Sequence, residues 1–208
     1  MTISHLFNWK TVVGALCLAA VSAGCRTSPP PVWYVLGAAG GEASASPNDL
    51  QADSIPIYLT PIVLPSYLDR PQIVTRVADE RIQINEMQRW GLPLDTAIAE
   101  VLGTTITRRL PHAYVDAIPA RGKVEGYSIQ VILIRLDGAL GGPVQLVAQW
   151  ELRQVSPQGD WSFRRQATYT AEATGKTYEA YVKAVGDAVR LMGEDMVDVL
   201  AGRLEGAP

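Results

Sequence analysis

The spacing of hydrophobic and polar positions along this 208-residue chain changes several times, and each change predicts an element. Thr11 to Ala23 is an uncharged apolar run of about 13 residues, the length of a signal-peptide core and short of the roughly 20 that a spanning helix needs. Small residues close it as Ser22-Ala23-Gly24-Cys25. Trp33-Tyr34-Val35-Leu36 predicts a short strand, and 38–53, rich in Gly, Ala, Ser and Asp, predicts a flexible connection. Ile55 to Leu64 is rich in β-formers but carries Pro56 and Pro61, with Pro65 just beyond. Proline cannot donate to a ladder, so this stretch is expected partly at a sheet edge or as two short strands.

Ser66 to Val74 reads as an irregular turn into a strand, and Arg81-Ile82-Gln83-Ile84-Asn85 alternates as a half-buried strand does, leading to Arg89-Trp90-Gly91. The period then lengthens. After Leu92, Pro93 suits a first helical turn, Asp95 complements the helix dipole, and Ile98, Val101, Leu102, Ile106 and Leu110 recur at helical spacing. Tyr114 to Ile118 predicts a strand. Tyr127–Leu136, Val144–Val155 and Trp161–Ala171, joined by turns at 137–143 and 157–160, predict an antiparallel meander. From about Thr177 a second helix buries Tyr178, Tyr181, Val182, Val185, Val189, Met192, Met196, Val199 and Leu200. The expected fold class is α+β: a single domain with a mixed, largely antiparallel sheet and two main helices packed on it. Sheet and helix faces account for its apolar residues, so no large lipid cavity is expected.

Composition narrows the chemistry. The formal net charge is −3 and 48% of residues are apolar, so the basic excess that phosphate binding requires is missing and nucleic acid is a poor partner. The two cysteines, Cys17 and Cys25, both lie in the N-terminal segment, where they build neither a disulfide framework nor a zinc site. His5 falls in the leader and His112 stands alone after Pro111. There is no Gly-x-Ser-x-Gly elbow and no His-Glu-x-x-His, and the neighbouring acids Asp79-Glu80 and Glu194-Asp195 do not converge on one substrate atom. No catalytic residue, metal ligand or cofactor-binding residue is expected, and the chain reads as a non-enzyme.

Ser22-Ala23-Gly24-Cys25 resembles the lipobox of bacterial lipoproteins, with Ser22 where that motif usually carries Leu. The resemblance implies a signal peptide over 1–24, a diacylglycerol and acyl chains such as palmitate on Cys25, and a Pro-rich tether over 25–32 before a domain at 33–208. The alternative is an ordinary secretory signal cut near Ala23. With Arg26 and no Asp after the cysteine, the sorting rule of such lipoproteins implies the outer membrane, facing the periplasm.

Val63 to Val74, reading Val-Leu-Pro-Ser-Tyr-Leu-Asp-Arg-Pro-Gln-Ile-Val, followed by Glu86-Met87-Gln88-Arg89-Trp90-Gly91-Leu92-Pro93-Leu94, is similar to the signature of the PqiC-type ABC-transport auxiliary lipoproteins. The likeness extends through the leader, the Trp33-Tyr34-Val35-Leu36 strand, the hairpin around Trp150 and the terminal helix. It implies an outer-membrane lipoprotein that works with an MCE-domain, PqiB-like protein in lipid transport between the two membranes and in envelope integrity. The competing reading is an assembly lipoprotein of outer-membrane protein insertion or lipopolysaccharide export. Self-association fits either.

Tyr67, Leu68, Arg70 and Pro71 combine an aromatic anchor, an arginine and a rigid proline, residue types that concentrate binding energy at interfaces. With Trp90 they are the candidate partner-binding residues. The competing reading packs Tyr67 and Leu68 on the sheet, pairs Asp69 with Arg70 locally, and uses Trp90 to staple the following helix to the core.

Overall fold

A computed structural model of the chain describes residues 29–37, 54–117, 126–155 and 160–205. The expected leader, Cys25, the connection 38–53 and Ile118 lie outside them. Described residues from Pro31 onward belong to one compact unit. Along it run β1 (Val32–Tyr34), β2 (Ile55–Leu59), β3 (Gln72–Ala78), β4 (Arg81–Trp90), α1 (Leu94–Arg109), β5 (Ala113–Ala117), β6 (Gly126–Gly138), β7 (Pro143–Val155), β8 (Trp161–Glu172) and α2 (Tyr178–Glu205).

The fold is α+β with mixed strand pairing and two helices, as the pattern predicts. The strands read as one sheet divide into two, ordered β1-β4-β3 and β5-β2-β6-β7-β8. The physical reason lies in the β3–β4 hairpin. Ile73, Val74 and Thr75 are buried consecutively rather than alternately, and the register shifts between Gln72 and Val74 and again between Arg76 and Ala78. Such irregularities bend a hairpin, and this one packs against β6 without extending its ladder.

β2 corrects a second expectation. It is central, pairing in parallel with β5 on one side and β6 on the other. The amide of Ile55 donates to the His112 carbonyl on the β5 side and that of Thr60 to the Ile129 carbonyl on the β6 side. By alternation the nitrogen of Pro56 faces β6, whose pairing with β2 starts only at Ile57 opposite Tyr127. No ladder bond is lost there. Gly126, at φ +132°, makes the arrangement fit, because a Cβ on it would lie 2.7 Å from Pro56 Cγ. Past Pro61 the chain rejoins β6 in a single bridge, Val63 opposite Ile132.

The meander forms as expected, with β7 antiparallel to both β6 and β8. Tyr127, Ile129, Val131 and Leu133 of β6 and Val144, Leu146, Ala148, Trp150 and Leu152 of β7 face the core. Helix α2 covers this face through Tyr181, Val185, Val189, Met192 and Met196, all buried. A polar clamp fixes it: Trp150 Nε1 donates to Tyr169 Oη at 2.8 Å, Tyr169 donates to Asp195 Oδ2 at 2.7 Å, and Arg165 pairs with the same carboxylate. Helix α1 packs on α2 at Gly193, where an added Cβ would stand 3.0 Å from Thr105 Cγ2 and 3.2 Å from Leu102 Cδ2. Tyr181 ties α2 to the smaller sheet by donating to the Val74 carbonyl at 2.8 Å.

Candidate partner-binding site

The segment between β2 and β3 turns sharply, with the Leu68 amide donating to the Pro65 carbonyl at 2.9 Å and the Arg70 amide to the Leu68 carbonyl at 2.8 Å. Leu68 enters the core at 3% exposure and Trp90 at 5%. The Trp90 amide donates to the Pro71 carbonyl at 2.7 Å, so the end of β4 holds the corner's exit. Tyr67 is half-buried; its hydroxyl accepts from the Leu136 amide at 3.2 Å and faces Asp137 Oδ2 at 3.3 Å.

Asp137 is fully buried, and two arginines from different strands converge on it. Arg76 of β3 donates through Nε at 2.6 Å and Nη2 at 2.7 Å, and Arg135 of β6 donates through Nε at 2.9 Å. Burial pushes the Asp137 carboxyl up, but the hydrogen bonds from Arg76 and Arg135 outweigh it and hold the group below the usual carboxylate range. Burial likewise raises the Tyr67 hydroxyl, which stays a neutral donor. Neither Asp137 nor Arg76 stands out in the sequence. The one signal is a carboxylate that directly ends the apolar run at Leu136.

Of the five candidate residues, Pro71 is exposed and Arg70 half-buried; Asp69 beside them is exposed. The Nε of Arg70 is buried with no hydrogen-bond partner among the described residues. That leaves a buried guanidinium donor unsatisfied, which is costly.

A second feature departs from the expectation of no large cavity. An open groove of about 840 Å³ runs between α1 and the β2–β5 edge, floored by Leu36, Leu59, Ile62, Ala99 and Val115. The helix lines it with the small side chains of Thr96, Ala99, Gly103 and Thr104 together with Asp95 and Glu100. Asp116 also stands among its lining residues, and the buried Thr60 Oγ1 there has no hydrogen-bond partner among the described residues. Among the described residues no three His, Cys, Asp or Glu side chains gather as a metal site, and His112 is exposed.

A family described as the ABC-type transport auxiliary lipoprotein component matches residues 34–197. No curated protein matches the chain. A solved structure of a protein described as uncharacterized is 17% identical, aligns over 83% of this chain and 99% of its own, and has a TM-score of 0.67. Protein XCC0632 from Xanthomonas campestris is 12% identical over 85% of this chain and 96% of its own, with a TM-score of 0.55. At these identities the likeness is one of fold.

Proposed function

This chain belongs to the family of ABC-type transport auxiliary lipoprotein components, and from that premise we propose that it is a non-enzymatic lipoprotein of the outer membrane serving a Pqi-type lipid transport system. In this reading residues 1–24 are removed, Cys25 carries the diacylglycerol and palmitate-type chains, and 25–32 tether the domain in the periplasm. Two or more acyl chains hold a protein stably on a bilayer. The domain works as a docking part for an MCE-domain partner, alone or as several copies.

The observation that carries the reading is the family match over residues 34–197, supported by the lipobox-like Ser22-Ala23-Gly24-Cys25 upstream of it. Partner contact is assigned to Arg70 and Pro71. Tyr67, Leu68 and Trp90 fix the corner from within, through the Asp137 network, the core and the bond from the Trp90 amide to Pro71. The half-buried Arg70 guanidinium, which makes no ion pair among the described residues, supports an acidic or carbonyl-bearing partner surface.

The test is metabolic labelling with an alkyne palmitate in the native host, followed by separation of inner and outer membranes. Label in the outer-membrane fraction, absent from a Cys25→Ser chain, is expected. Label confined to the inner membrane would overturn the placement, and an unlabelled, freely soluble chain would overturn the lipoprotein reading.

A further inference from the structure

We infer that the exposed apolar face formed by Trp33 and Val35 lies against the headgroup region of the bilayer and orients the domain on it. The inference deepens the proposed function, because it rests on the acylation of Cys25. Strand β1 is the outer strand of the three-stranded sheet and, among the described residues, pairs only with β4. Its sequence alternates in a telling way. Leu36 is buried and Tyr34 half-buried, with the Tyr34 ring against Tyr178 of α2 and its hydroxyl donating to Gln88 at 2.6 Å. Trp33 and Val35 point the other way at 56% and 59% exposure, and Val32 at the strand's start is 46% exposed.

Edge strands in contact with water are usually blunted by charge or proline. Here Pro31 directly precedes the strand, yet Trp33 and Val35 present two large apolar side chains on one face. Among the described tryptophans, Trp90 and Trp150 are buried and Trp161 is half-buried, so Trp33 is the exposed one. The Arg89 guanidinium sits 5.9 Å from the centre of its ring. The same guanidinium donates through Nε to the Glu86 carbonyl at 2.9 Å and stands 3.6 Å from the Glu86 carboxylate; an exposed indole beside a cation suits a membrane interface, where the ring occupies the boundary.

Chain length says which surface covers this edge. Val32 is seven residues from Cys25, and a fully extended chain spans at most about 3.6 Å per residue, so roughly 25 Å separates the strand from the acylated residue at the limit. The apolar face thus lies within that reach of the anchor. A freely swinging domain would gain nothing from apolar residues at this place, whereas one laid on the bilayer buries them.

The experiment uses the full acylated chain reconstituted in phosphatidylethanolamine–phosphatidylglycerol vesicles, with and without phospholipid brominated high on its acyl chains. Flotation reports anchoring and tryptophan emission reports contact. The mature chain has four tryptophans, Trp33, Trp90, Trp150 and Trp161. Bromolipid is expected to remove on the order of a quarter of the emission if one of four equal emitters is in contact, and a Trp33→Phe chain, which floats equally well, is expected to lose that quenched part. A chain that floats with Trp33 unquenched overturns the inference and leaves the anchor standing. A chain that fails to float overturns the anchor and the inference with it. Shielding of Trp33 from iodide that grows with protein concentration in the absence of vesicles would assign the edge to a second copy and also overturn it.

Discussion

Arg76 grips the fully buried carboxylate of Asp137 with two hydrogen bonds, 2.6 Å from Nε and 2.7 Å from Nη2, and so joins the small sheet to the end of β6. Arg135 closes the other side, and the Tyr67 hydroxyl completes the ring of donors. Removing one partner of a buried pair strands the others, which costs about 3 kcal/mol where the remaining charges stay desolvated. Arg76 and Arg135 are partly exposed and regain some solvent. Asp137→Ala is therefore expected to lose roughly 2 to 3 kcal/mol in urea unfolding, and Tyr67→Phe about 1 kcal/mol, chiefly through the unpaired Leu136 amide. Unchanged midpoints in both would remove this network from the account of the corner.

The same carboxylate sets an acid limit. Its folded-state pKa is lowered, so its contribution is fully present above the unfolded value of about 4 and is lost as pH falls toward the folded value. Glu151, held low first by Arg164 and then by Arg153, acts in the same direction. Wild-type stability should fall steeply below about pH 4, and Asp137→Ala should show a shallower slope there. Parallel slopes in pH-dependent chemical denaturation would contradict the assignment.

Gly193 is where the two helices approach most closely among their described glycines, with Thr105 Cγ2 3.0 Å from the position of an added Cβ. Gly193→Val forces the branched side chain against Thr105 and Leu102, and overpacking of this kind costs about 1 to 3 kcal/mol. Gly202, which an added Cβ leaves in open space, is the control. Gly202→Ala is expected to gain a few tenths to about 1 kcal/mol in thermal unfolding through helix propensity.

At the corner, Arg70→Glu is expected to lower the melting temperature by only a few degrees, since the half-buried Arg70 makes no ion pair among the described residues that the change would break, while lowering recovery of the partner from membranes at least severalfold. A large drop in melting temperature would give Arg70 a structural role instead.

Much of the fold is legible in the sequence because its elements are long and periodic. The apolar run of β6, the stripe of α2 and the turn residues of the meander each state one structure. Two features were hidden for reasons that concern pairs of distant residues. Pro56 reads as an edge signal until Gly126, seventy positions on, is seen to make room for its ring. Tyr67 reads as an exposed anchor until Asp137, also seventy positions away, is seen to receive it. The groove was missed for a different reason: Ala99 and Gly103 look like ordinary helix positions, and only the spacing of α1 from Leu59 and Val115 leaves a volume between them.

The most direct test of the central claim is a mild-detergent pull-down of the full-length acylated chain from native membranes, with mass spectrometry of everything that accompanies it. An MCE-domain protein recovered with wild type and depleted with Arg70→Glu is the predicted result. Recovery of outer-membrane insertion or lipopolysaccharide-export machinery, with no MCE-domain protein, would contradict it.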